Sequence, residues 1–215
     1  LEQNDLARFS ARGYKLVLYN QVRRSPAPNI LVVNYDNFQC GRLAGEELVR
    51  CGHTRIAHVT GEPNKISVQD RLEGFEAALT AAGIPFDREK YLEYGAFNRR
   101  AGGYGATQRL LRRNWEDLPT ALCAGSATML MGTFEAIRDM GLRIPEDISL
   151  IGIDNVDTAF YTTPPLSLVS TSCEEIAKVT ISHLIELVEQ GSTESRDYII
   201  SDAVLAQRES VRVLN

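Results

Sequence analysis

The sequence predicts an α/β protein whose sheets are parallel and covered by helices on both faces. Short apolar runs alternate with helix-length amphipathic segments along the whole chain. Several runs are apolar at every position, as in Ile30–Val33 (ILVV), which is typical of buried strands. With 215 residues, the chain is also long enough to bury a core without disulfides or metals.

The predicted elements follow one another in a regular order. Strands are predicted at Lys15–Tyr19, Ile30–Val33, Ile56–Val59, Tyr91–Tyr94, Ala121–Ala124, Ile148–Ile153, Leu168–Thr171, Tyr198–Ile200 and Ala203–Ala206. Helices are predicted from Asp36-Asn37 to Gly52, from about Asp70 to Ala82, around Ala101, Tyr104 and Leu111 on one face, from about Thr128 to Met140, and from about Glu174 to Gln190. Glycines at 52, 83 and 141 provide the expected helix stops. The segment between Gly61 and Gln69 is predicted as a loop.

The charge balance argues against direct contact with nucleic acid. The net charge is -5, and a polyanion is bound mainly through Lys and Arg that displace counterions. One local basic group exists, and its spacing favours a solvated helix face; it comprises Arg99, Arg100, Arg109, Arg112 and Arg113. No apolar run approaches the roughly 18 residues of a membrane span, and no signal peptide opens the sequence. We therefore expect no membrane partner.

The residues that usually carry catalysis or metal binding are scattered. The four cysteines form no CxxC pair, which favours a reduced, cytoplasmic setting without disulfides or zinc. His58 lies in a predicted strand and His183 in a predicted helix, so packed or surface histidines are the expected roles; His53 is expected to serve a helix C-terminus. No phosphate loop, dinucleotide fingerprint or nucleophile elbow is present. The sequence predicts no enzyme, metal or cofactor.

Polar side chains recur at the ends of successive predicted strands. Ligands of open parallel sheets bind where the carboxyl ends of the strands present their loops. The expected effector-binding residues are Asn20, Lys65, Ser67, Arg71, Phe97, Ser126 and Asp154. Carboxylate, amide and guanidinium groups bind hydroxyls well, and an aromatic ring suits a sugar or a base. A turn or helix cap is the alternative role for each residue alone, for Asp154 in particular.

The order of motifs resembles the lactose-repressor/galactose-repressor (LacI/GalR) family over essentially the whole chain. Matching stretches include VNYDN at Val33–Asn37, ELVRCGHTRIAHVTG at Glu47–Gly61, RLEGFEAAL at Arg71–Leu79 and GAFNRRAGGYGA at Gly95–Ala106. Further matches are PTALCAGSATMLMG at Pro119–Gly132, GLRIPEDISLIGIDN at Gly141–Asn155, TPPLSLVST at Thr163–Thr171 and LAQRES at Leu205–Ser210. The pair GLRIPEDISLIGIDN and TPPLSLV is the most specific.

The resemblance implies a type I periplasmic-binding-protein fold with two Rossmann-like lobes, joined by three crossovers and closing on a small effector. It implies that residues 1–52 and 164–194 form a partial N-terminal lobe, and residues 53–163 and 195–215 the C-terminal lobe. The family's effector positions fall on the seven residues named above, with Arg71 and Asp154 as the main anchors. Three departures put a transferred ligand in doubt: Asn20 and Ala127 stand where Asp is usual, and Lys15 where Pro is common.

The resemblance also implies the biological role. The expected function is effector sensing and dimerisation in a cytoplasmic transcription regulator, in which a homodimer controls operator DNA through a helix-turn-helix headpiece not visible before Leu1. The natural protein is therefore expected to be longer. The alternatives are a solute-binding protein of a sugar transporter and, with least support, an enzyme. A monosaccharide or polyol is the default effector, and a purine or an anionic sugar derivative held by Lys65 and Arg71 stays open.

Overall fold

The computed structural model describes residues 3–21, 24, 27–96, 99–154, 157–189 and 197–214. The helices are α1 (Gln3–Ala11), α2 (Asn37–Arg50), α3 (Ile66–Ala81), α4 (Arg88–Tyr91), α5 (Arg100–Arg113), α6 (Ala127–Asp139) and α7 (Cys173–Glu189). The strands are β1 (Leu16–Tyr19), β2 (Ile30–Tyr35), β3 (Ile56–Thr60), β4 (Leu92–Tyr94), β5 (Ala121–Ala124), β6 (Ser149–Ile153), β7 (Ser167–Ser170), β8 (Asp197–Ile200) and β9 (Val204–Ala206). A short 3-10 helix covers Asp157–Phe160.

The chain divides into two compact units and passes between them three times. Unit 1 comprises Leu1–Asp36 and Ser172–Asp202, and unit 2 comprises Asn37–Thr171 and Ala203–Asn215. These boundaries differ from the expected ones at 52, 163 and 194. The physical reason is pairing: α2 packs on α3, β7 pairs with β6, and β8 pairs with β2. Residues 37–52 and 164–171 therefore join unit 2, while residues through 202 join unit 1.

Unit 1 is a three-stranded parallel sheet in the order β1-β2-β8. Side chains that alternate along β2 enter two different clusters. Ile30 and Val32 pack with Leu6 of α1. Val33 and Tyr35 pack with Ile176 of α7. This alternation places α1 and α7 on opposite faces of the sheet. Helix α1 was not predicted from the sequence.

Unit 2 is a six-stranded sheet in the order β4-β3-β5-β6-β7-β9. The first five strands are parallel, and β9 pairs antiparallel with β7. Every residue of β3, β5 and β6 is buried, including the polar His58, Thr60 and Ser149, as expected for largely apolar strands inside a parallel sheet. The helices α2 and α3 cover one face, where Ala121 and Cys123 point, and α5 and α6 cover the face of Leu122 and Ala124. The predicted α/β class with mostly parallel sheets is confirmed.

Local differences from the sequence predictions have packing reasons. Helix α3 begins at Ile66, four residues before the predicted start, so the predicted loop after β3 ends at Lys65. Helix α5 buries Leu111 as predicted, but Ala106 and Leu110 complete its buried face, whereas Ala101 is exposed and Tyr104 is only half-buried. The four-residue α4 was not predicted; Asp87 caps its N-terminus, where its side chain accepts hydrogen bonds from two following backbone N–H groups.

Candidate functional site

The strand order of unit 2 reverses between β3 and β5. The connection from β3 leads through α3 to β4 on one side, and the chain then returns through α5 to β5 on the other side. Neighbouring strands whose connections leave in opposite directions open a crevice at their carboxyl ends, which is where ligands bind in open α/β sheets. Arg71 of α3 lies at this point, because its Nη1 donates to the carbonyl oxygen of Gly125, directly after β5, at 2.9 Å.

The buried guanidinium of Arg71 is the centre of a polar cluster. Its Nε donates to Oδ1 of Asn37 at 2.9 Å, and its Nη2 lies 3.5 Å from Oδ2 of Asp154. The side chain of Arg71 is 7% exposed, whereas that of Asp154 is 36% exposed. We call Asn37, Arg71, Gly125 and Asp154 the Arg71 cluster. It presents one cationic donor and one carboxylate acceptor side by side at the strand ends, and only the carboxylate is substantially open to water.

Asp154 and Asn20 both follow strands in a backbone conformation that is uncommon for residues other than glycine. The φ angle is 88° at Asp154, directly after β6, and 52° at Asn20, directly after β1. Such residues cost about 1–3 kcal/mol and concentrate at ligand sites. Oδ1 of Asn20 accepts the backbone N–H of Tyr35 at 3.3 Å, within unit 1. Asn20 therefore stays a prediction for effector contact.

Of the other four predicted site residues, three lie in the part of the chain that the structure describes. Ser126 is buried and caps α6, with its Oγ accepting the backbone N–H of Met129 at 3.4 Å, so its cap role is observed and its effector role stays a prediction. Ser67 stands one helical turn before Arg71 on α3, on the same face. Lys65 is exposed at the start of α3 and makes no side-chain cap bond. Phe97 lies outside the described residues.

Two buried polar side chains next to the Arg71 cluster were not part of the predicted site. His58 and Thr60 lie on β3, and neither the ring nitrogens of His58 nor Oγ1 of Thr60 have a hydrogen-bond partner. A Cβ added at Gly125 would stand 2.5 Å from Oγ1 of Thr60 and 3.3 Å from Nε2 of His58. Burial, together with the nearby charge of Arg71, lowers the pKa of His58 to about 3. His58 is therefore the neutral, packed histidine that the sequence predicted.

Asn37 is the cluster member that sequence reasoning assigned only to a helix start. It is the first residue of α2 and is buried. The motif VNYDN marked the position, but its partner Arg71 is 34 residues away, so no local pattern could reveal the contact. His53, expected to serve a helix C-terminus, instead places its ring nitrogens 3.0 Å from Oγ1 of Thr120 and 3.1 Å from the carbonyl oxygen of Arg212.

The predicted basic group has the solvated character that the sequence favoured. Arg100 pairs with Glu135, and Arg109 and Arg113 both pair with Glu93, in each case with a largely exposed guanidinium. Among the described residues, no group of three or more His, Cys, Asp or Glu side chains could hold a metal ion. Within the same part of the chain, none of the helices combines the length and apolar character that a bilayer span requires.

Comparison with known proteins identifies the domain. Residues 46–211 match the family model of the periplasmic binding protein-like domain. The HTH-type transcriptional repressor PurR of Haemophilus influenzae is 36% identical over 163 residues, which is 76% of this chain and 47% of the relative. PurR of Vibrio vulnificus is 33% identical over 175 residues, covering 81% of this chain and 51% of that protein. The chain thus spans about half the length of the curated relatives it matches.

Solved structures agree with these matches. A LacI family transcriptional regulator from Enterococcus faecium, with bound ribose, has a TM-score of 0.88 at 26% identity and covers 100% of this chain and 77% of its own. A sugar-binding LacI family regulator from Escherichia coli, complexed with phosphate, has a TM-score of 0.81 at 27% identity, covering 100% and 74%.

Sheet order, helix layers and the family match together define a periplasmic-binding-protein-like α/β domain. The chain belongs to the LacI/GalR family of transcriptional regulators, as an effector-binding core. The resemblance stated from the sequence is confirmed. The matched relatives are transcriptional repressors, so the comparisons give the enzyme alternative no support.

Proposed function

We propose that this chain senses a small polar effector through the Arg71 cluster and thereby controls operator binding by the regulator to which it belongs. The observation that carries the proposal is the pair formed by Nη2 of Arg71 and the half-exposed carboxylate of Asp154, 3.5 Å apart. A guanidinium only donates hydrogen bonds and a carboxylate only accepts them. A ligand hydroxyl, which does both, matches this pair.

The effector class that fits best is a sugar or related polyol. Asp154 lies beside the guanidinium and is the more exposed of the two side chains, so an anion would meet a negative charge next to the positive one. A neutral ligand with neighbouring hydroxyls avoids that repulsion. Ribose in the Enterococcus faecium regulator agrees with this choice. The test also includes a purine, which the sequence analysis left open, and phosphate, because a phosphate complex of the Escherichia coli regulator is known.

The first experiment measures binding to the chain itself. Isothermal titration with D-ribose, hypoxanthine and inorganic phosphate would identify the class, and Arg71→Lys and Asp154→Asn should each weaken the effective probe by about tenfold or more, as expected when a charged hydrogen bond is lost. The matched controls are Arg143→Lys and Asp147→Asn, because Arg143 and Asp147 form an exposed pair at 2.9 Å in the same unit. Unchanged affinity in both cluster variants would contradict the site.

The second experiment addresses regulation. We propose that the regulator acts in the cytoplasm as a homodimer, needs no cofactor or membrane, and binds operator DNA through a headpiece. The product of the complete gene should bind a specific operator with an affinity that changes on adding the effector, because the effector favours one of two conformations. If the affinity for the operator stays the same in the presence of every ligand that the protein binds, allosteric control is contradicted. The transporter alternative has no regulator role and predicts no operator binding at all.

A further inference from the structure

Asn37 lies at the point where the chain enters unit 2. It is the first residue after the chain passes from unit 1 to unit 2, and it begins α2. Its side chain is buried, and its Oδ1 accepts the Nε–H of Arg71 at 2.9 Å. A residue that only starts a helix has no need of a guanidinium from another helix, so a second role is indicated.

The hydrogen bonds of Arg71 fix the plane of its guanidinium. Nε is held by Asn37 and Nη1 by the carbonyl oxygen of Gly125, each at 2.9 Å. Both acceptors are neutral, so neither cancels the positive charge. Because the guanidinium is planar and rigid, two fixed nitrogens determine where the third points. Nη2 is thereby directed to Asp154, the partly exposed member of the Arg71 cluster.

The backbone near Asn37 has little freedom to move away from Arg71. A Cβ at Gly41 of α2 would stand 1.9 Å from the carbonyl oxygen of Arg71, and a Cβ at Gly74 of α3 would stand 1.9 Å from that of Phe38. The start of α2 and the middle of α3 are therefore in close backbone contact. This contact keeps the amide of Asn37 within reach of Nε.

We propose that Asn37 is a positioning residue for Arg71, and that its hydrogen bond determines how tightly the neutral hydroxylated effector binds. Losing the bond frees the guanidinium to rotate about its long side chain, so Nη2 is no longer held beside Asp154 when the ligand arrives. The role of Asn37 in affinity rests on the function proposed above. Its hydrogen bond to Arg71 does not, and the two are measured separately.

The first test needs no ligand. In the unliganded protein, NMR measures the solvent exchange of the Arg71 Nε–H, which should be slower than that of the exposed Arg8. Asn37→Ser still suits a helix start but is too short to reach Nε, so exchange should accelerate by about tenfold, the equivalent of one lost hydrogen bond. Asn37→Asp retains the acceptor oxygen and should keep exchange slow. Gln39→Ala, in the same turn and paired with Arg42, is the control and should change nothing.

The second test measures affinity for D-ribose by titration. Asn37→Ser should raise the Kd by about tenfold, Asn37→Asp should restore most of the affinity, and Gln39→Ala should match the wild type. Rapid exchange of the wild-type Arg71 Nε–H, or an Asn37→Ser variant within twofold of wild type in exchange, would overturn the proposal. The wild-type exchange rate decides the matter even if Asn37→Ser does not fold. If the wild type binds none of the probes, the proposed function fails while the exchange measurement still tests Asn37.

Discussion

Arg71 keeps a full positive charge where only 7% of its side chain meets water. Burying a charge is costly unless hydrogen bonds replace the lost water, and Asn37 and Gly125 provide two of them. Asp154 is held nearby with φ at 88°, an unfavourable backbone conformation for an Asp residue. At the residue scale, a buried charge and an unfavourable backbone conformation therefore lie next to each other, and ligand-binding sites commonly contain such destabilising features.

The buried imidazole of His58 leads to a pH prediction. Its pKa is about 3 in the folded state and about 6.5 in an unfolded chain. Between these values only the unfolded chain takes up the proton. The contribution of the neutral His58 to the free energy of unfolding is therefore fully present above pH 6.5 and is lost as the pH falls toward 3. The decline from this residue approaches at most about 1.4 kcal/mol per pH unit.

The variant His58→Leu isolates this contribution from that of the carboxyl groups. Urea unfolding of both proteins between pH 4 and 7 should show a shallower pH dependence for the variant, because it removes the ring that protonates on unfolding. The variant also removes two buried nitrogens without partners, so it should lose little stability at pH 7. Parallel pH curves for the two proteins would contradict the assignment of a neutral, buried His58.

At the scale of elements, the contact between α2 and α3 depends on glycine. Gly74 on α3 approaches the carbonyl oxygen of Phe38 so closely that a Cβ would lie 1.9 Å from it, and the opposing Gly41 makes the same kind of approach. A backbone atom cannot turn aside as a flexible side chain can. The two helices must separate if either glycine gains a side chain, and the Arg71 cluster bridges the same two helices.

Gly74→Ala should therefore lower the free energy of unfolding by about 1–3 kcal/mol or more, as overpacked cores do. Gly105→Ala on α5 is the control, since a Cβ there would lie 3.5 Å from Nη1 of Arg109. An alanine inside that helix should stabilise the protein by about 0.5–1 kcal/mol. Urea denaturation of both variants gives the comparison. A Gly74→Ala variant as stable as Gly105→Ala would show that α2 and α3 can move apart at little cost in free energy.

At the scale of the whole molecule, unit 2 exposes two neighbouring aromatic residues. Phe160 is 58% and Tyr161 is 87% exposed. The guanidinium of Arg208 lies 3.6 Å from the ring centroid of Phe160, which holds that ring on the surface. Exposed aromatic side chains next to arginine are typical of the centre of protein interfaces. This surface agrees with the proposed homodimer.

Tyr161→Asp should weaken the proposed homodimer. Loss of an aromatic anchor commonly costs 2 kcal/mol or more, so the dimer dissociation constant should rise by about 30-fold. Trp115→Asp is the control, because Trp115 is 51% exposed and follows α5. Sedimentation velocity over a range of concentrations measures both. If Trp115→Asp weakens the dimer and Tyr161→Asp does not, the interface lies at the surface around Trp115. A wild-type protein that is monomeric at all concentrations would contradict the dimer.

The sequence alone determined the class of fold and indicated the two residues, Arg71 and Asp154, that lie together in the candidate site. Ala121–Ala124 and Ile148–Ile153 were identified as strands because a strand that is buried on both faces is largely apolar along its length. Arg71 and Asp154 were identified because strand ends and their loops are readable from the apolar pattern, and because the motifs resemble LacI/GalR regulators. For contact with the effector, all seven residues stay predictions: Asn20, Lys65, Ser67, Arg71, Phe97, Ser126 and Asp154.

Only the tertiary structure decided which distant segments meet. The hydrogen bond between Asn37 and Arg71, the membership of α2 in unit 2 and the antiparallel pairing of β9 all join residues far apart in sequence. Apolar periodicity records which face of an element is buried, but it does not record the partner that buries it. The sequence thus determines the helix that carries Arg71 and the strand end that carries Asp154, and the packing of α2 on α3 determines how that guanidinium is held.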